Sequence, residues 1–144
     1  MISIAARVLH RWSLVVIAVA VLTACSASKD FDLANTAIAR LRSLMTEQKF
    51  DQIYAEAADE LKKTTTEPNL TRLLSAIERK LGPVKTTTAN GWTVNYNSSG
   101  TSVTLKFKTE FEKGTGAETF TYRIRGDKAL LAGYNINSDD LIAN

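Results

Sequence analysis

Apolar residues recur at spacings of three and four through the first half of the chain and at spacings of two through the second half. Leu33, Ala34, Ala37, Ile38, Leu41, Leu44 and Met45 form one stripe, with Arg40, Arg42 and Glu47 on the other side. This pattern predicts a helix over 33–48 with Asp32 as its N-cap. Phe50, Ile53, Tyr54, Ala57 and Leu61 predict a second helical piece over 50–63. A third helix starts at Thr66, a capping residue, with Pro68 in its first turn. Leu70, Leu73, Leu74, Ile77 and Leu81 make its apolar face. Arg79 and Lys80 fall in the last turn, where cations suit the helix dipole, and Gly82-Pro83 ends it.

Beyond Pro83 the alternation predicts strands. Trp92, Val94 and Tyr96 share one face. Val103, Leu105, Phe107 and Phe111 share the next. Phe120, Tyr122 and Ile124 follow, then Leu130, Ala132, Tyr134 and Ile136. Turns are expected at 97–100, at 113–116 and at Gly126-Asp127. Helices followed by a four-stranded antiparallel meander with one buried face predict an α+β fold. The last turn tests the register. A two-residue loop pairs Ile124 with Ala129 and puts Leu131 on the core face. Pairing Ile124 with Leu130 joins the apolar sets and requires a bulge; the apolar pattern favours this second arrangement.

The first 25 residues have a different organisation. Arg7, His10 and Arg11 precede an apolar run from Trp12 to Leu22, broken only by Ser13, and small residues follow. This is the order of a secretory signal. The run is shorter than the roughly 20 apolar residues that cross a bilayer. Leu22-Thr23-Ala24-Cys25 resembles the lipobox of bacterial lipoproteins at all four positions. The resemblance implies a diacylglyceryl thioether on Cys25, cleavage between Ala24 and Cys25, and acylation of the new amine. Two acyl chains anchor stably where one does not. Ser26 after the cysteine implies the outer rather than the inner membrane of a Gram-negative envelope. The expected organisation is a signal peptide over 1–24, a lipidated Cys25 with a polar tether to residue 32, a domain over 33–137 and a tail over 138–144.

Processing changes the chemistry on offer. Removing 24 of the 144 residues leaves 120, enough for one core. Arg7 and Arg11 leave with the signal, so 16 basic residues face 15 acidic ones and the net charge drops from +3 to +1. That balance gives no case for nucleic acid. His10 is the only histidine and Cys25 the only cysteine. The processed chain thus has no Ser-His-Asp or Cys-His catalysis, no usual zinc ligands and no internal disulfide. No cofactor, metal site or catalytic residue is expected.

Lys49-Phe50-Asp51-Gln52-Ile53-Tyr54, Leu81-Gly82-Pro83 and Gly133-Tyr134, in an order of three helices and a long meander, resemble small bacterial lipoproteins with a cone-like domain. The resemblance covers about 33–137 and implies a nuclear transport factor 2-like or cystatin-like fold. Catalytic members of that fold place acids or histidines inside the cone, whereas the core-facing strand positions here are mostly apolar.

The candidate surface residues are Lys106, Lys108, Arg123, Arg125 and Lys128. They form a basic set that suits anionic headgroups or an acidic partner, or else serves as a solvated sheet face. If Phe107 pairs with Tyr122, Lys106 stands opposite Arg123. Trp92, Tyr96, Phe107, Tyr122 and Tyr134 suit either a pocket lining or core packing. Asp51 with Tyr54, and Asp139-Asp140, are weaker polar candidates. The expected role is a lipid-anchored envelope protein, either a binding or structural module with a protein or cell-wall partner, or an enzyme or carrier using carboxylates or tyrosines. A cystatin-like inhibitor ranks last because the hairpin tips are polar.

Overall fold

The computed structural model describes residues 26–143. The first helix, α1, covers 26–46. It is followed by α2 (Phe50–Glu56), α3 (Asp59–Thr64) and α4 (Glu67–Leu81). Four strands come next, β1 (Val84–Asn97), β2 (Gly100–Phe111), β3 (Gly114–Arg125) and β4 (Lys128–Asn137), and then a short α5 (Asp139–Ala143). The strands form one antiparallel meander in the order β1-β2-β3-β4. This is the α+β arrangement the periodicities predict.

Ser26 to Asp30 is helical and not an extended tether. Asp32 is therefore inside α1, where it cannot cap. The helix stops at Gln48, whose φ of 57° is left-handed. The amide of Lys49 donates to Leu44 O and that of Gln48 to Met45 O, both at 2.9 Å. These two bonds satisfy the last carbonyls of the helix. The single helix expected over 50–63 is split at Ala57-Ala58, although alanine is the best helix former. The Ala58 amide instead donates to Leu131 O on the edge of β4 at 2.9 Å. A single tertiary hydrogen bond to the sheet edge has overridden local propensity. In α4, Thr66 occupies the N-cap position without a side-chain hydrogen bond, and Gly82 ends the helix with φ 74°.

The sheet corrects the expected turns. Phe111 pairs with Gly114, so the β2–β3 turn is Glu112-Lys113. Gly114 and Gly116 lie in the strand. A Cβ on Gly114 would meet Asp140 at 2.6 Å, and one on Gly116 would meet Ile136 at 3.1 Å. These glycines admit α5 and β4 rather than turn the chain. Within the expected tail, Asp139–Ala143 is helical: the Leu141 amide donates to Ser138 Oγ at 3.2 Å, and Leu141 packs against the core.

Ile124 pairs with Ala129, so Gly126-Asp127 is a two-residue loop. The favoured Ile124–Leu130 pairing is overturned, yet a bulge exists one step further on. Tyr122 pairs with Leu131 and Thr121 with Gly133, which leaves Ala132 extra. The bulge returns Tyr134 and Ile136 to the face of Leu131, opposite Phe120 and Glu118. Leu41, Leu44, Ile53, Leu74, Ile77 and Leu81 meet Val103, Leu105, Phe120 and Tyr122 in one core. Each such side chain contributes roughly 1.5–3 kcal/mol on burial.

Candidate functional site

The helix α1 crosses the inner sheet face from the end bearing the β1–β2 and β3–β4 turns toward the β2–β3 end. Its early residues touch the first end: Lys29 Nζ lies 2.8 Å from Asp127 Oδ1. Its later residues reach the strand interior through Arg42. Between α1, α2 and β4 a cleft of about 950 Å³ remains open. Leu33, Leu41, Ile53, Leu130 and Leu131 supply its apolar walls, and Tyr122 its aromatic lining. The size is that of a small-molecule pocket.

Ion pairs border this cleft. Lys29 pairs with Asp127 on one side. Arg40 grips Glu56 of α2 through two bonds, Nε to Oε2 at 2.9 Å and Nη2 to Oε1 at 2.6 Å. Hydrogen bonds from Arg40, then from Gln52, hold the Glu56 carboxyl at a pKa of about 2. The Lys29 hydrogen bond likewise lowers that of Asp127. Both rim acids are therefore carboxylates at neutral pH. The Tyr122 hydroxyl is buried and has no hydrogen-bond partner among the described residues. Burial pushes its pKa far up, so it keeps its proton.

A second polar group sits inside the core. Glu118 of β3 has a fully buried side chain. Arg42 donates to both of its oxygens, at 3.0 Å from Nη1 to Oε1 and through Nη2 to Oε2. Thr109 Oγ1 donates to Oε2 at 2.5 Å, and the Tyr134 hydroxyl donates to Oε1 at 2.6 Å. Arg42 also lies 5.2 Å from the Phe120 ring centroid. Burial, then the adjacent Glu118 carboxylate, raise the Tyr134 pKa well above the phenol range. Four donors fill the carboxylate's acceptor sites, so the cluster cross-links α1, β2, β3 and β4. Sequence reasoning missed it. The signal is that Glu118 extends the Phe120–Tyr122 row by one step of two, and Arg42 follows Ile38 by four.

The expected residues fall in different places. Leu22, Thr23, Ala24 and Cys25 lie outside the described residues. Phe107 pairs with Glu118 and not with Tyr122, so Lys106 stands opposite Thr119 and Lys108 opposite Ala117. Arg125 pairs with Lys128 and Arg123 with Leu130. The basic set is thus split: Thr119 and Arg125 are six residues, about 20 Å, apart along β3. Arg123 is mostly buried, and its Nε donates to Glu60 Oε1 at 2.8 Å. Of the five candidate aromatics, Tyr122 lines the cleft and Tyr134 joins the buried cluster. Phe107 packs against Phe120, with ring centroids 6.1 Å apart. Trp92 and Tyr96 are half-exposed on β1. Asp51 is exposed. Tyr54 carries Lys62 Nζ at 5.9 Å from its ring centroid. Asp140 accepts from the Thr115 amide at 2.9 Å. Among the described residues no cluster of His, Cys, Asp or Glu is placed to hold a metal ion. Nor is any described helix long and apolar enough to cross a membrane. No protein-family model and no curated protein matches the chain.

Proposed function

We propose that this chain is a bacterial envelope lipoprotein, held by acyl chains on Cys25, whose α+β domain is a non-enzymatic module that binds an apolar small ligand in the α1–β4 cleft. The observation that carries the binding role is the cleft itself, a concavity of about 950 Å³ with apolar walls. The electrostatics favour binding over catalysis. Glu56 and Asp127 are locked as anions by their partners, so neither donates a proton at neutral pH. Glu118 has its acceptor sites filled within the core. The anchor rests on Leu22-Thr23-Ala24-Cys25 behind the apolar run.

Anilinonaphthalene sulfonate, an apolar fluorescent probe, tests the cleft. Saturable binding at one site is expected, and Ala37→Trp, which fills the cleft, abolishes it. Tyr122→Phe removes a buried unpaired hydroxyl. It therefore raises the stability of the protein by about 1 kcal/mol. Equal probe binding by wild type and Ala37→Trp refutes the cleft as the site. Radiolabelled palmitate tests the anchor: Cys25→Ser loses the label, and equal labelling of the variant refutes lipidation there.

A further inference from the structure

We propose that the sheet end carrying the β1–β2 and β3–β4 turns, with the adjoining β1 edge, docks on an anionic lipid bilayer; this inference rests on the lipid anchor at Cys25. The meander places both turns at one end, and the first described residues of α1 lie against them. Lys29 is tied to Asp127 in the β3–β4 turn. The Tyr96 hydroxyl donates to Asp30 Oδ2 at 3.3 Å. The Phe31 and Trp92 rings have centroids 5.1 Å apart. Residues 26–31 rise only about 8 Å as helix, and one further link of about 4 Å reaches Cys25. Acyl chains on that residue therefore bring these side chains to the headgroup layer with no slack to hold them off.

The surface found there suits such a layer. Trp92 is 53 % and Tyr96 56 % exposed, and these two ring types concentrate at membrane–water boundaries. Arg125 and Lys128 face each other across the β3–β4 turn, both exposed. Arg125 Nη1 also donates to Ser99 O at 3.3 Å, which ties the two turns together. Neither cation forms an ion pair among the described residues. The neighbouring acids are engaged: Asp127 by Lys29, Asp30 by Tyr96, Glu60 by Arg123 and Glu56 by Arg40. Asp32, exposed on α1 at the cleft, is the acid that opposes them. Two cations at the turns and two amphipathic rings along the adjoining β1 edge complement a bilayer whose headgroups carry negative charge. Lys106 and Lys108 alternate with Leu105 and Phe107 and so lie on the face of β2 away from Trp92, which pairs with Leu105.

Trp92 reports on the contact directly, because Trp12 leaves with the signal peptide and no other tryptophan remains. The full chain is purified from host membranes, its lipid confirmed by intact mass, and placed in phosphatidylcholine vesicles with or without phosphatidylglycerol. Bromine on the acyl chains then quenches Trp92 when it sits in the interface. Strong quenching is expected in the anionic vesicles. Arg125→Gln and Lys128→Gln each lower the docked-to-undocked ratio about fivefold, and added salt acts the same way. A lipidated protein that floats with the vesicles while Trp92 stays unquenched overturns this inference and leaves the anchor standing. Equal quenching in neutral vesicles overturns the anionic partner. A bare Cys25 sulfur overturns the anchor and this inference with it.

Discussion

Replacing Arg42 with Met puts the buried cluster to a quantitative test. The substitution keeps much of the apolar stem of the side chain and removes the charge that faces Glu118. The Glu118 side chain has no solvent exposure, while that of Arg42 is 19 % exposed. Breaking a buried pair by deleting one partner costs about 3–5 kcal/mol, because the other charge is stranded. The partial exposure of Arg42 and the bonds from Thr109 and Tyr134 place the expected loss near the lower bound, about 3 kcal/mol. Domains of this size have about 5–15 kcal/mol in total, so the variant folds but melts about 10–20 °C earlier. Urea unfolding with an unchanged slope measures the loss. Glu118→Gln on top of Arg42→Met recovers part of the loss at neutral pH. A loss below about 1 kcal/mol, the range of a surface pair, or strict additivity of the two substitutions, refutes the view that this pair acts as a buried unit.

The exposed pair at the cleft rim has a different expected scale. Arg40→Gln changes stability only slightly, within the scatter of surface substitutions, since both side chains are exposed and water screens the pair. The Glu56 pKa is depressed in the fold, so its contribution is present above pH 4.5 and is lost as pH falls toward about 2. Acid unfolding curves of Arg40→Gln and wild type accordingly converge below that window. Gly82→Ala tests the α4 terminus. Its φ of 74° and ψ of −171° belong to a region almost reserved for glycine, and the new Cβ would stand 3.3 Å from Glu112 Cβ. A loss of about 1–3 kcal/mol in thermal unfolding is expected.

Much of this architecture is legible in the residue pattern, and the departures have identifiable causes. The α4 limits follow from Thr66, Pro68 and Gly82, and the meander from its alternation. The α2–α3 break is not legible, because Ala57-Ala58 favours helix and the break is made by Leu131 from a strand more than seventy residues away. Gly114 and Gly116 read as turn residues, yet they serve packing against Asp140 and Ile136. Leu130 and Leu131 carry equal apolar weight, so only the position of the bulge decides which enters the core. Glu118 and Arg42 score as solvent-facing in any count of polarity. Each is tolerable inside only because the other is there. The cleft depends on how α1 lies over β4, a tertiary relation that no local pattern encodes. Its rim pairs join Lys29 to Asp127 and Arg40 to Glu56 across that gap.

Like β4 at the opposite edge, β1 has a sheet neighbour on one side only. An unbroken ribbon of that length would offer a template on which further copies add strand by strand until fibrils grow. The irregularity between Ala89 and Trp92, with Gly91 at φ 113°, cuts the template into two stretches set out of line. A guest strand aligned with Trp92–Asn97 runs out of register before it reaches Ala89. Neighbouring copies at high local concentration can therefore be tolerated without seeding polymer.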